Sequence, residues 1–299
     1  AVPYLLILPG CTPANAFFES ASGITTTGAT VFSDLAAFPR SLMFWRCLSQ
    51  WIGGLGVVVF FVAVLSFLGA GAKILYSNES SATSTEINAG RVQSGVLRIL
   101  YLYLGLSGAC VLAYWGLGME PYDAVCHMFS TISTGGFSPH TASFAYFGSA
   151  ALEWTAIVFM TLGGTSFLVV LRALKLDWDE LRQSTEVTVY LALLLLFGAL
   201  IAIMLIGHDT HLNLHENIRT AFFQVVSIMT TTGYVTVDFD QWVAVGHVIL
   251  LLCMVFGGCS GSTAGGIKIV RIILGVKVCL QHIEKAFRPN VIRPVKING

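Results

Sequence analysis

Five stretches of this chain run without a single Asp, Glu, Lys or Arg for about the length that a bilayer demands, and nothing else in the sequence limits the fold so strongly. They cover residues 52–68, 99–117, 155–171, 187–207 and 242–267, each near the roughly 20 apolar residues needed to cross the hydrocarbon core. Composition agrees, since 55% of the residues are apolar and 11% charged, against roughly a quarter charged in soluble domains. A soluble enzyme is excluded and a nucleic-acid partner is not expected; membrane lipid is the expected solvent. Residues 1–8 are apolar, too short to cross, and lack the basic start of a signal peptide. They are expected to be the stub of a sixth span. The seven cysteines are scattered with no C-x-x-C spacing, so neither a disulfide framework nor a zinc site is indicated.

The spans alternate with an internal repeat. Ile24-Thr25-Thr26-Thr27-Gly28-Ala29, Ile132-Ser133-Thr134-Gly135-Gly136-Phe137 and Met229-Thr230-Thr231-Thr232-Gly233-Tyr234 share a Thr-Gly step, which aligns Gly28, Gly135 and Gly233 at spacings of 107 and 98 residues. Each follows a short apolar-aromatic segment (17–21, 124–129, 222–228) that reads as a re-entrant half-helix. Each precedes, by 24 to 28 residues, a Gly-Gly pair: Gly53-Gly54, Gly163-Gly164 and Gly257-Gly258. The expected fold is an all-α polytopic membrane protein of repeated helix, re-entrant pore loop and helix units. Repeat 1 is assigned to residues 1–75 with its outer helix mostly missing, repeat 2 to 76–175, and repeat 3 to 176–299, including a cytoplasmic tail.

Charge orients these units. The side bearing the Thr/Gly loops holds Arg40, Arg46 and Arg219, while the other 13 of 16 basic residues fall opposite, so the loops are expected outside and the basic face in the cytoplasm. Nine acidic residues, among them Glu19, Asp34, Glu120, Asp123, Glu153 and Asp238, share the loop side, a balance that concentrates cations at that mouth.

Irregular backbone at membrane depth is tolerated only where it is buried in protein or lines a cavity. Three such loops therefore imply a shared aqueous path, whose backbone carbonyls suit a dehydrated monovalent cation and towards which the half-helices turn the negative ends of their dipoles. The glycine pairs at 53 and 163, inside otherwise continuous spans, are read as close helix packing. The third pair opens the run Gly257-Gly258-Cys259-Ser260-Gly261-Ser262-Thr263-Ala264-Gly265-Gly266, a poor helix at mid-span, which is assigned as a gate. Lys268 directly after it has two readings, an electrostatic partner of the gate or, more commonly for a lysine at a span's cytoplasmic end, a side chain that simply snorkels to the interface.

On these motifs, together with Ser22 to Thr30, Ser130 to Ser138, Ala221 to Ser227 and Gly258 to Lys268, the chain resembles the TrkH/KtrB family of bacterial potassium uptake proteins, relatives of fungal Trk and plant HKT transporters, and most closely its TrkH branch. The resemblance implies four units around a pseudo-fourfold pore axis in the bacterial inner membrane. It also implies a potassium-selective filter built here from Thr26, Thr27, Gly28, Ser133, Thr134, Gly135, Thr231, Thr232 and Gly233, with potassium in the pore and no bound cofactor. Plant relatives with serine at the first filter glycine tend to prefer sodium, so Gly28 points to potassium. Homodimers and cytoplasmic nucleotide-sensing RCK subunits of the TrkA or KtrA type are implied partners. The fourth unit is not among residues 1–299, so the chain is expected to be a fragment that does not conduct alone. Two other readings stand beside this one. Gly258-Cys259-Ser260-Gly261 fits the G-x-S-G pattern of rhomboid-like intramembrane serine proteases, with His127, His208 or His247 as base. A carrier-type cation symporter also uses broken helices at the midplane.

Overall fold

The computed structural model describes residues 1–77, 89–174, 184–208 and 213–287, and their side chains outside 61–94. The elements are helical, in the order α1 (Val2–Ile7), α2 (Pro13–Ile24), α3 (Arg40–Ser77), α4 (Ala89–Gly116), α5 (Pro121–Ile132), α6 (Ala150–Gly164), α7 (Phe167–Leu174), α8 (Thr185–Gly207), α9 (Leu214–Met229), α10 (Ala244–Val255) and α11 (Ile269–Phe287). Among the described residues the one extended pairing is an isolated parallel bridge between Phe256 and Ile267.

Three segments, Arg40–Phe60, Gly95–Gly116 and Thr185–Gly207, are long and apolar enough to cross a membrane. Their outer faces are greasy: Leu112 of α4 and Leu195 and Ile203 of α8 are more than half exposed, as lipid-facing positions are. The expected half-helices are α2, α5 and α9, of 12, 12 and 16 residues. At 1.5 Å per residue they are too short to span. Their starts are written locally. Pro13 and Pro121 sit in the first turns of α2 and α5, the Thr12 hydroxyl accepts from the Asn15 N–H, and Asn213 and Glu216 form a capping box on α9. Each half-helix packs between helices of its own unit and, for α5 and α9, also against the second helix of the unit before: α5 against α3, and α9 against α6.

Two spans depart from expectation. Residues 155–171 do not form one helix: α6 stops at Gly164, Thr165 is extended, and α7 leaves at 109° to α6. The Gly163-Gly164 pair therefore ends a helix rather than lying inside one. The span that starts at residue 52 in the sequence reading begins twelve residues earlier, at Arg40, because Arg46 enters the helix paired with Glu19. The expected repeat boundary at 75/76 falls in the last turn of α3, and the one at 175/176 lies outside the described residues.

All three loop-side arginines are neutralised by carboxylates from the same side. Arg40 meets Glu120 at 3.2 Å, Arg219 meets Glu153 at 2.8 Å, and buried Arg46 meets fully buried Glu19 at 2.5 Å. Arg46 also donates to the Ser138 carbonyl and stacks 3.6 Å above the Phe137 ring, while Glu19 accepts from Thr30. Breaking such a pair leaves a buried charge uncompensated, so Glu19→Gln is expected to destabilise the fold by about 3–5 kcal/mol. A melting curve in detergent checks this, and an unchanged midpoint would show that the pair contributes nothing. Asp34 and Asp238 are exposed on the loop side. Cysteines placed there are expected to react with an impermeant thiol reagent on intact cells; reaction of both only after permeabilisation would invert the topology.

Candidate functional site

The three half-helices end in one repeated geometry. Thr25, Ser133 and Thr230 occupy the C-cap positions, each hydroxyl donating to the carbonyl four residues back at 2.7 Å. The next residues, Thr26, Thr134 and Thr231, are left-handed with φ of 53°, 51° and 59°. Their N–H groups return to the carbonyls of Gly23, Thr131 and Ile228 at 2.9–3.1 Å, half of the bonding that closes a helix C-terminus. In α2 and α5 the other half is present too, from Thr27 to Ser22 and from Gly135 to Ser130. Glycine usually fills the left-handed position. A β-branched threonine there costs on the order of 1–3 kcal/mol and persists only where the surroundings enforce it. Three such threonines at equivalent points form a pattern of strain of the kind that collects at functional sites.

Two residues later the backbone turns left-handed again, at Gly28 (φ 77°), Gly136 (φ 77°) and Gly233 (φ 81°). The backbone therefore sets Gly136, not Gly135, opposite Gly28 and Gly233. Gly135 stands where the other loops carry Thr27 and Thr232, and Ser133 stands where they carry Thr25 and Thr230. The dipeptide Thr-Gly misplaced the register by one residue, because loop 2 has glycine at two successive positions. Counting six residues on from Ser22, Ser130 and Ser227 would have found Gly136.

The loops also touch one another in one repeated way. A Cβ on Gly28 would lie 2.1 Å from the Gly135 carbonyl oxygen, and one on Gly136 would lie 1.8 Å from that of Thr232; at Gly233 the corresponding space is open. Carbonyls from equivalent positions thus abut the left-handed glycine of the preceding loop. The spanning-helix glycines wedge beneath these contacts. A Cβ on Gly53 would lie 2.0 Å from the Ile24 oxygen, one on Gly54 2.7 Å from Ser133 Cβ, and one on Gly164 3.0 Å from Thr230 Cγ2. Close packing at Gly53-Gly54 and Gly163-Gly164 matches the sequence reading, though the second pair also has bonding work described next.

The run 257–266 separates α10 from α11 and lies directly against loops 2 and 3. The Thr263 hydroxyl donates to the Ile132 carbonyl at 3.0 Å, Thr134 donates to Thr263 Oγ1 at 3.3 Å, and the Gly265 N–H donates to Thr231 Oγ1 at 2.6 Å. On its flank the N–H groups of Cys259 and Thr263 donate to the Gly164 and Gly163 carbonyls at 2.8 and 3.2 Å, and Phe167 N–H donates to the Gly261 carbonyl at 3.2 Å. The break between α6 and α7 is what frees those two carbonyls. Ser260 N–H donates to Glu186 Oε1 at 2.6 Å. Lys268 does not simply snorkel: its ammonium turns back to the Ala264 carbonyl and lies 3.5 Å from Ser262 Oγ. The alternative base His127 is fully buried, with its ring nitrogens held by the Asp123 carbonyl and Ser138 Oγ at 2.9 and 3.1 Å.

Sequence reasoning passed over several residues that hold the site. The Ser22 hydroxyl donates to the Ala29 carbonyl at 2.6 Å, and Ser227 to the Tyr234 carbonyl at 2.7 Å. Gln50 and the Glu19–Arg46 pair were also missed. An ionisable residue at membrane depth is itself a signal, and Arg46 carried it.

Half-helices that end in interlocked, strained loops between apolar spans define a polytopic helical membrane protein. Residues 8–299 match the family described as "TrkH: Cation transport protein", and the chain belongs to that family. It is similar to the Trk system potassium uptake protein TrkH of Vibrio parahaemolyticus, with 34% identity over all of this chain and 63% of the relative. The TrkH protein of Escherichia coli K12 is also 34% identical, over all of this chain and 62% of the relative. That of Halomonas elongata is 36% identical over 95% of this chain and 59% of the relative. The crystal structure of the potassium transporter TrkH from Vibrio parahaemolyticus superposes with a TM-score of 0.83 at 33% identity, covering 97% of this chain and 59% of that one. The chain thus spans about 60% of the length of these relatives. They are named as transporters, not enzymes, and the serine protease reading falls away.

Proposed function

We propose that this chain supplies three walls of a potassium uptake pore in the bacterial inner membrane. The carbonyls of Thr26 to Gly28, Thr134 to Gly136 and Thr231 to Gly233 line its filter, and the run 257–266 closes it from the cytoplasmic side. The observation that carries the reading is the repeated contact of one loop's carbonyl with the preceding loop's left-handed glycine, a repeat that favours equivalent oxygens arranged around a common centre. The register found in the backbone replaces Ser133 by Gly136 in the filter set. The open side of Gly233 marks where a further loop of the same kind would continue the ring. Four units around a pseudo-fourfold axis, a homodimer, and cytoplasmic nucleotide-binding subunits of the RCK type acting on the run complete the assembly. The relatives' assignment to a "Trk system" favours such partners.

The test is Gly28→Ser in the full-length protein, with rubidium and sodium uptake measured in parallel. Gly28 faces the Gly135 carbonyl at a positive φ, so a side chain there must displace an oxygen of the ring. The rubidium-to-sodium ratio is expected to fall. An unchanged ratio in a folded variant would remove loop 1 from the filter.

A further inference from the structure

Loop 2 is held differently from its two counterparts. In loops 1 and 3 the serine six residues before the left-handed glycine ties down the carbonyl just after it, Ser22 to Ala29 and Ser227 to Tyr234. The equivalent Ser130 hydroxyl is buried without a partner. The Phe137 carbonyl it would bind lies 3.9 Å from Cys47 Sγ instead.

The brace on loop 2 comes from α3. Gln50, with no exposed surface, donates from Nε2 to the Gly135 carbonyl at 2.7 Å and accepts at Oε1 from Phe137 N–H at 3.1 Å. Only this orientation of the amide satisfies both bonds. The side chain mimics a strand, pinning the backbone on both sides of Gly136. Arg46, one turn earlier on α3, holds the next carbonyl, Ser138, at 3.1 Å. Room for the amide exists because residue 135 is glycine: a Cβ there would meet Gln50 atoms at 2.4–2.7 Å. That accounts for why loop 2 reads Thr-Gly-Gly where loops 1 and 3 read Thr-Thr-Gly.

We propose that Gln50 is a specificity-determining positioning residue, which tethers the Gly135 carbonyl so that the ring of oxygens cannot contract onto an ion smaller than potassium. The inference rests on the filter reading above. A carbonyl drawn outward by a buried amide donor is held at one distance; released, it follows the ion inwards and admits sodium.

Gln50→Met keeps the length and apolar fit while removing both bonds. In full-length protein reconstituted into proteoliposomes, the rubidium-to-sodium uptake ratio is expected to fall roughly three- to tenfold, the scale of one buried hydrogen bond. A wild-type ratio in a monodisperse Gln50→Met protein would overturn the proposal. Should that variant fail to fold, Gln50→Leu carries the same test, since its branched apolar side chain also removes both bonds. A cycle with Gly135→Thr adds a readout that plain loss of stability would not give. Gly135→Thr is expected to damage uptake less in a Gln50→Ala background than alone, because the threonine then fills the vacated space; additive damage would count against the coupling. Gly28→Ser measured alongside separates the two levels: a shift there with none at Gln50 overturns this inference alone, whereas no shift in either overturns the filter reading beneath it.

Discussion

Removing residues 258–265 from the full-length protein is expected to raise basal rubidium uptake, to weaken its dependence on a cytoplasmic nucleotide-binding partner, and to leave the rubidium-to-sodium ratio unchanged. The run is small and uncharged, and it is pinned directly against loops 2 and 3 through Thr263, Thr134, Gly265 and Thr231. Its backbone is bonded to the α6–α7 break through Gly163 and Gly164, and to Glu186 at the start of α8. If the run is the proposed gate, every one of these bonds favours its closed arrangement. If the closed state loses a net two of them, about 1–3 kcal/mol, the open population grows by roughly five- to a hundredfold. On the proposed reading the run is an obstruction rather than a ligand site, so selectivity is expected to stay with the loops above. Flux into proteoliposomes with and without the partner measures both effects. Reduced flux with altered selectivity in a folded deletion variant would make the run a coordination site and would refute the gate.

The second large effect separates two adjacent glycines. Gly136→Ala places a Cβ at a positive φ and 1.8 Å from the Thr232 carbonyl oxygen, where only backbone stands in the way. Gly135→Ala meets the end of the Gln50 side chain rather than backbone, and Gly135 has no positive φ, so the clash is relieved by shifting Gln50 at the cost of its two bonds. Gly136→Ala is therefore expected to abolish potassium-dependent growth of an uptake-deficient strain, and Gly135→Ala to impair it partially. The reverse order would restore Gly135 as the counterpart of Gly28 and Gly233 and would discard the register drawn from the backbone.

What the sequence made legible follows from which forces act locally. The half-helices announced themselves as short apolar-aromatic segments and the loops through their Thr/Gly composition, because both are local; the starts of the half-helices at Pro13, Pro121 and the Asn213–Glu216 box lie outside those segments, and sequence reasoning passed over them. The broken character of 257–266 was equally plain from its glycines. What stayed hidden was tertiary. The bend at Thr165 coincides with Gly163-Gly164-Thr165-Ser166, whose glycine pair reads as close packing, because the partners that take the freed Gly163 and Gly164 carbonyls lie about a hundred residues away in the run 257–266. Gln50 reads as one polar residue on a helix; its purpose exists only once residues 135–137 are folded against it. The one-residue slip at Gly135 has the same origin. The Thr-Gly pattern selects Gly135, the first of two successive glycines, and only the positive φ of Gly136 shows that the second is the counterpart. Lys268 illustrates the reverse error, since a lysine at a span's end usually reaches for water, whereas here a carbonyl of the run lies closer.

On the proposed function the three loops surround one dehydrated cation. A crystal or cryo-cooled structure of the full-length protein prepared in thallium, with its anomalous signal mapped, tests that claim directly. The expected result is a peak on a line between the carbonyls of Thr27, Gly135 and Thr232, at comparable distances from all three and above the run 257–266. A thallium peak bound elsewhere, with none among these loops, would contradict it.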